Sequence, residues 1–292
     1  MNVFDRLQKI DRRILYVLIA AVITAPLLIR PSRHPNVIFD EVRNAYSLID
    51  GVPDDKLIIV STVWGAGTLA ENGPQTEALM RHMFKSGKKF AVISWNPVGA
   101  ELSYGIGHDL ERELGKKYGR DWVHLGYNPG PIYIVIRGMG TNFAGTLKKD
   151  RFGTSLTEIP VTRDVKNHKQ IAAVAEVTPS GTVATWIAYF GMPYHVPILF
   201  CPTAVMAAEA YPFIDSGQIV GMLNGVIGAA QYETLLGMEN ERTYAAAASW
   251  ALSSAHIFII LLIVLGNVGY ALSRRAGAGR GTLRKSGGSP NG

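Results

Sequence analysis

Two long apolar segments near the ends of the chain restrict what it can fold into. The first, residues 14–29, contains no charged residue and is flanked by Arg12, Arg13 and Arg30. The second, residues 250–272, has an aromatic residue near each end and is followed by Arg274 and Arg275. A bilayer is crossed by about 20 apolar helical residues, with a range of roughly 17–25, so the first segment is at the short end. Both segments are predicted to be transmembrane helices.

A cleaved signal peptide is the main alternative for the first segment, because it also combines a basic start with an apolar centre. Cleavage needs small residues after the apolar centre. Residues 30–35 read Arg-Pro-Ser-Arg-His-Pro, which is bulky and basic. An uncleaved anchor is therefore the favoured prediction.

The Lys and Arg residues beside the apolar segments predict the orientation. Four precede the first segment and five follow the second, and such residues accumulate on the cytoplasmic side. We therefore expect a protein of the cell membrane with a cytoplasmic N-terminus (1–13), a periplasmic or extracellular domain (36–245) and a disordered basic cytoplasmic tail (273–292). The lipid bilayer is its first predicted partner.

The same basic ends account for the net charge of the chain, which is +6. Residues 1–13 carry +2 and residues 273–292 carry +5, which leaves about −1 for everything between them. A near-neutral domain is a poor match for phosphate backbones, so no nucleic-acid partner is expected. Cys201 is the only cysteine, so no intramolecular disulfide can form, and we interpret it as a small buried apolar residue.

The region between the apolar segments alternates strand-like and helix-like patterns. An amphipathic helix is predicted at 39–49, and short apolar, β-branched runs predict strands at 56–63, 89–96, 121–127, 170–177 and 196–200. Helices are predicted at 72–86, 100–118, 182–190 and 203–211. Residues 132–136 read as another strand, and 137–166 have no clear pattern. Such alternation predicts an α/β domain with a mostly parallel, three-layer, Rossmann-like or flavodoxin-like arrangement.

A run of regularly spaced glycines precedes the second apolar segment. Gly217, Gly221 and Gly225 lie four residues apart, and Gly228 continues the row. If residues 214–236 form one helix, these glycines line one face, where another backbone can approach closely. That face would pack either on the domain's own sheet or against another subunit, in a homo-oligomer or with other membrane subunits.

Polar residues collect where the predicted strands end. Ligands of open α/β sheets bind beyond the carboxyl ends of the strands, and these ends hold Thr62, Trp64, Ser94, Trp95, Asn96, Tyr127, Asn128, Glu176, Thr178, Ser180 and Thr203. Hydroxyls, amides and indoles suit an uncharged polar molecule such as a sugar, although loops and helix caps use the same residues. The ligand-binding candidates are Thr62, Trp64, Ser94, Asn96, Tyr127, Thr178 and Ser180.

The segment 65–70 formally fits the dinucleotide pattern G-x-G-x-x-G/A. That pattern requires the glycine turn to open directly into a helix. Asn72-Gly73-Pro74 instead predicts a later start, with Asn72 as the N-cap. No acid follows the second strand to hold a ribose, so no cofactor is expected.

Catalytic motifs are absent from the sequence. Neither Ser94 nor Ser180 lies in a G-x-S-x-G elbow, and the histidines show no metal-ligand spacing, so no catalytic or metal-binding residue is predicted. Three hypotheses remain: a non-enzymatic assembly or accessory subunit of a membrane complex, a tethered receptor for a small polar solute, and a membrane-bound hydrolase. The first is favoured because of the two anchors and the glycine row.

Overall fold

The structure is a computed structural model that describes residues 11–32 and 37–283, and for residues 273–283 it describes the backbone alone. The chain divides into two compact units. One is Ser32–Ala246, which contains the whole sheet. The other consists of the end segments Met1–Pro31 and Ala247–Gly292.

A helix near each end is long and apolar enough to cross a membrane. Helix α1 (Arg12–Ile29) begins after Asp11, whose carboxylate accepts a hydrogen bond from the Arg13 amide at 2.9 Å. The last helix of the described chain, α11, spans Tyr244–Leu283, and its apolar part is Tyr244–Leu272.

The segment predicted to be a disordered tail, 273–292, is helical as far as Leu283. No proline occurs in this part of the tail, and extending an existing helix costs much less than starting one. Residues 284–292 lie outside the described residues. So do residues 1–10 of the predicted cytoplasmic N-terminus.

Six strands form one sheet in which every pairing is parallel, in the order β3-β2-β1-β4-β5-β6. Five of them confirm the predicted strands, and their continuous apolar sequences are typical of a sheet that is covered on both faces. Because β4 lies beside β1, the strand order reverses between these two. The strands are β1 (Leu57–Thr62), β2 (Lys89–Ser94), β3 (Trp122–Tyr127), β4 (Ile171–Thr178), β5 (Ile198–Pro202) and β6 (Gly221–Met222).

Helices cover both faces of the sheet, and on each face an apolar core lies between the sheet and its helices. One face carries α2 (Asp40–Asp50), α3 (Leu69–Lys85), α4 (Pro97–Leu114) and α10 (Gly225–Leu235). The other carries α5 (Ile132–Thr141), α6 (Phe143–Leu147), α7 (Val183–Trp186) continued by a π-helical turn (Ile187–Gly191) into α8 (Met192–Tyr194), and α9 (Tyr211–Asp215). The α/β class is confirmed.

The strand predicted at 132–136 is wrong, because Ile132–Thr141 is a helix. Its buried residues Val135, Ile136, Met139 and Gly140 follow a helical spacing. A window of five apolar residues is too short to distinguish a strand from a buried helix. The helix predicted at 203–211 is also different, since Ala207–Ala210 is a 3-10 turn that leads into α9.

Helix α3 begins at Leu69, directly after a 3-10 turn at Ala66–Thr68, and not at Asn72. The Asn72 side chain is buried and donates to Gln75 Oε1 at 2.8 Å, so it does not cap the helix. Pro74 is accommodated inside α3. The predicted N-cap is therefore wrong, and the Gly65–Gly67 turn does open into a helix.

The predicted glycine-lined helix at 214–236 is wrong, because its four glycines occupy different elements. Gly217 has a φ of +73° in a turn, and Gly221 begins β6. Gly225 has a φ of +51° at the start of α10, and only Gly228 lies within that helix. A Cβ on Gly221 would lie 2.5 Å from the Ala45 backbone nitrogen, so this glycine lets α2 cross the sheet closely. The glycines therefore do not line one face of a helix.

A candidate ligand site at the carboxyl edge of the sheet

The loops at the carboxyl edge of the sheet are free of charge. None contains Asp, Glu, Lys, Arg or His. Between β1 and β4, where the strand order reverses, such sheets open a crevice for ligands. Polar groups at this position are therefore the first candidates for a site. The six loops are 63–68, 95–96, 128–131, 179–182, 203–206 and 223–224.

Glu176 of β4 is a buried carboxyl group next to this crevice. Its side chain is fully buried. In the sheet, Glu176 lies directly beside Ser61 of the neighbouring strand β1. One oxygen, Oε1, accepts a hydrogen bond from the Thr182 hydroxyl at 2.5 Å. The other, Oε2, finds no hydrogen-bond partner among the described residues. A buried polar atom without a partner is uncommon and calls for an explanation.

The environment of Glu176 keeps its proton bound near neutral pH. Burial raises the pKa of Glu176 to about 7, because a carboxylate loses its hydration in the protein interior. The polar groups of Ser61, Thr182 and Trp186 next to the carboxyl group oppose this rise in pKa, but their effect is smaller than that of burial, and of the three only the Thr182 hydroxyl makes a hydrogen bond to it. A carboxyl group with a pKa near 7 can both donate and accept hydrogen bonds at physiological pH. Perturbed groups of this kind are concentrated at functional sites.

Three hydroxyl groups connect Glu176 to the edge of the sheet. The Thr178 hydroxyl lies 2.8 Å from Ser180 Oγ and 3.3 Å from Thr182 Oγ1. Ser180 Oγ lies 3.3 Å from Thr182 Oγ1, and Ser180 is partly exposed. The turn that follows β4 places these groups together, because the Thr178 hydroxyl also accepts the Ser180 amide at 3.0 Å. A polar molecule at Ser180 would therefore meet a connected set of donors and acceptors.

Two tryptophans lie on the same face of the sheet. Trp186 donates from its indole nitrogen to Ser61 Oγ at 3.2 Å. Trp95 meets Trp186 edge to face, with ring centroids 6.0 Å apart. The Trp95 indole N–H is buried and has no acceptor within the described part of the chain. Two buried polar atoms that lack a partner among the described residues, Trp95 Nε1 and Glu176 Oε2, therefore lie at the two ends of one series of contacts. The series runs from Trp95 to Trp186, from Trp186 to Ser61, and from Ser61 to its strand neighbour Glu176.

The structure brings two of the seven predicted ligand-binding residues, Thr178 and Ser180, into this cluster. Three others form hydrogen bonds within the domain. Thr62 Oγ1 donates to the Ile93 carbonyl at 3.3 Å, and Ser94 Oγ donates to the Thr62 carbonyl at 2.6 Å. Asn96 caps α4 by accepting the Gly99 amide at 2.9 Å.

The last two of the seven predicted residues lie apart from the cluster. Trp64 is fully buried in the core of the opposite face. Tyr127 is 47% exposed at the end of β3. Sequence patterns did not distinguish Glu176 from the other strand-end residues, and an acid inside an apolar strand was the available signal.

A serine–histidine pair occurs at Ser103 and His124, but its hydrogen bonds run in the wrong direction for catalysis. The Gly126 amide donates to His124 Nδ1 at 3.0 Å, so the proton is on Nε2, which faces Ser103 Oγ at 3.0 Å. Ser103 in turn donates to the Gly99 carbonyl at 2.6 Å. Burial lowers the pKa of His124 to about 3. This histidine therefore cannot accept the serine proton, and the pair serves to join α4 to β3.

The glycine turn before α3 is poorly suited to a pyrophosphate. Glu71 lies in the first turn of α3, where its Oε2 accepts the Ala204 amide at 2.8 Å. An acid at the helix N-terminus repels the phosphate that this position attracts in dinucleotide-binding proteins. Residues 57–80 contain no Lys or Arg to compensate.

Metal ligands are not grouped in the described residues, where no cluster of three His, Cys, Asp or Glu side chains could hold an ion. These features define an α/β domain with a parallel six-stranded sheet, in a chain with two apolar end helices. Comparison with protein-family models, with curated proteins and with solved structures finds no match to this chain. The choice between functions therefore rests on the residues described above.

Proposed function

We propose that this chain is a non-enzymatic membrane protein whose domain outside the cytoplasm binds a small, uncharged polar molecule at the carboxyl edge between β1 and β4. The observation that carries the proposal is Glu176, a buried carboxyl group with one unpartnered oxygen beside a connected set of hydroxyls. Burying Oε2 without a partner costs about 1–3 kcal/mol, and Ser180, which is partly exposed, is the member of this set that a ligand would contact.

The arrangement of strands supports a Rossmann-like domain. The order 3-2-1-4-5-6 is that of doubly wound sheets, which bind their ligands where the order reverses. The uncharged loops support a neutral ligand over a phosphorylated one, because no Lys or Arg is available there to pair with an anion.

The two apolar end helices support anchoring in the cell membrane. Four Lys or Arg residues precede the first apolar segment and five follow the second. This distribution supports cytoplasmic termini, with the sheet domain on the other side of the membrane.

The proposal is tested by thermal unfolding of the full chain in mild detergent with a panel of neutral monosaccharides and polyols. A compound present at about 100 times its Kd stabilises the folded state by about 2.7 kcal/mol, which raises Tm by about 5–10 °C. We expect Glu176→Gln to lose most of this shift, while the matched control Glu158→Gln, at an exposed site, retains it. The proposal fails if no compound stabilises the protein, or if both variants respond equally.

An assembly or accessory subunit is a second proposal, which the two apolar end helices support. Its other support, the glycine row, is lost because those residues do not share a helix. The test is the mass of the detergent-extracted protein by light scattering. A mass above that of one chain, 31.7 kDa, supports assembly, and a monomer excludes a stable homo-oligomer.

A further inference from the structure

The carboxyl edge of the sheet exposes a set of large apolar side chains. We call this set the apolar rim. Each member lies in a loop that follows a strand, at the end of a strand, or in the first turn of the next helix. Their exposed fractions range from 41% for Leu69 to 86% for Val205. The members are Leu69, Val98, Tyr127, Tyr133, Ile134 and Val205.

The apolar rim extends across most of the sheet. Its members follow β1, β2, β3 and β5, and the uncharged loops lie between them. Exposed apolar side chains beside loops that contain no charged residue are unusual for a domain surrounded by water, and they mark a surface that contacts another molecule or a membrane. Aliphatic residues together with tyrosine suit the boundary between lipid headgroups and acyl chains.

The path of the chain indicates which of these partners covers the rim. Tyr244, the first residue of α11, lines an open groove of about 500 Å³ together with Ala66, Leu69, Ile106 and the charged Glu77. The chain therefore leaves the domain beside a member of the rim and enters the helix whose segment Tyr244–Leu272 is apolar enough to span a membrane. The predicted span starts at residue 250, six residues after Tyr244 along the chain.

We infer that the carboxyl edge of the sheet lies on the lipid surface of the bilayer that anchors the chain, with the apolar rim in the headgroup region. The amino edge then faces water, in agreement with the lysines in the loops that lead into β1, β2, β3 and β4. The inference rests on the anchoring part of the proposed function, and it places the proposed ligand site, which opens at the same edge, beside the bilayer.

The test compares two valines at opposite edges of the sheet in the full chain. Val205→Cys lies on the rim, and Val220→Cys lies before β6 at the amino edge, where the Val220 amide donates to the Ile198 carbonyl. Both sites are exposed, whereas the native Cys201 is fully buried, so a nitroxide reagent labels the introduced cysteine. The labelled proteins are reconstituted in vesicles of phosphatidylcholine and phosphatidylglycerol, and the collision rates of the label with oxygen and with a water-soluble nickel chelate are measured.

We expect label 205 to collide more often with oxygen than with nickel, and label 220 to show the reverse. The inference is overturned if label 205 is as accessible to nickel as label 220. It is also overturned if label 205 is shielded from both reagents, which indicates a protein partner, or if label 220 is the one in lipid. Extraction of the unmodified chain with alkaline carbonate separates the two claims, because release from the membrane contradicts the anchoring itself.

Discussion

The carboxyl and amino edges of the sheet are formed by the same six strands but differ in chemistry. Loops at the carboxyl edge contain no charged residue, whereas each loop that leads into β1, β2, β3 or β4 contains at least one Lys. The amino edge includes an ion pair in which Lys88 Nζ lies 2.9 Å from Asp54 Oδ1. Hydrated charges suit an edge in water, while uncharged loops suit an edge that is covered. The difference supports the proposal that the carboxyl edge is the one that binds another molecule.

The largest expected effect concerns backbone packing at the carboxyl edge. A Cβ on Gly99 would lie 2.0 Å from the Trp64 carbonyl oxygen, so Gly99→Ala forces apart the loops after β1 and β2. We expect a loss of about 2–3 kcal/mol in the free energy of unfolding, measured by chemical denaturation.

Gly105→Ala is the matched control in the same helix. No atom lies within 4 Å of a Cβ built there, so alanine should stabilise the helix by about 0.5–1 kcal/mol. Equal effects of the two substitutions would show that the loops at the carboxyl edge are not closely packed.

A glycine at the amino edge should respond for a different reason. Gly87 precedes β2 with a φ of +69° and has open space around its Cβ position. Gly87→Ala should therefore cost about 1–2 kcal/mol through backbone strain alone. Gly87→Asn should recover part of that loss, because asparagine tolerates this conformation better. If asparagine and alanine are equally destabilising, contacts and not φ determine the cost.

The smallest expected effect is a difference in how stability depends on pH between two carboxyl groups, Glu176 near the carboxyl edge and Asp54 at the amino edge. Burial raises the pKa of Glu176 to about 7, whereas the hydrogen bond and charge of Lys88 lower the pKa of Asp54 below its usual value. The protonated form of Glu176 is favoured in the folded state, so its contribution to stability is complete below pH 4 to 5 and is lost as the pH rises through 7. Asp54 contributes at neutral pH and loses its contribution in acid.

The stability of Glu176→Gln relative to wild type should therefore rise between pH 5 and pH 8. Asp54→Asn should be destabilised at pH 7 and approach wild type as the pH falls below 4. Thermal unfolding of each variant and of wild type across pH 3–8 measures both trends. A difference between Glu176→Gln and wild type that does not change with pH would show that this carboxyl group keeps an ordinary pKa in the folded protein.

Local sequence patterns were sufficient to predict five of the six strands. Continuous apolar runs such as Leu57–Thr62 and Ile171–Thr178 predicted their strands, because a parallel strand buried on both faces has few other sequences available. They failed at Ile132–Thr141, where a short apolar run fits a strand and a helix equally well. They failed again at the glycines of 217–228, where regular spacing suggested one helix although positive φ angles separate the elements.

The candidate site was predicted only in position. The rule that ligands bind beyond the carboxyl ends of parallel strands predicted Thr178 and Ser180, which the structure brings together in the hydroxyl cluster. It could not separate these from Thr62 or Asn96, because the same side chains form internal hydrogen bonds at strand ends. Their partners belong to other elements, and only the assembled sheet shows which polar atoms remain unsatisfied.

The sequence by itself determined the two apolar end helices, the alternation of strands and helices, and the absence of charge from the loops after the strands. These properties depend on residues that are close along the chain. The tertiary structure decided that β4 lies beside β1, that the Glu176 carboxyl group is enclosed with one oxygen unpartnered, and that the apolar rim shares one edge with Tyr244. Burial and pairing depend on residues more than a hundred positions apart, such as Ser61 and Glu176, which only the assembled sheet brings together.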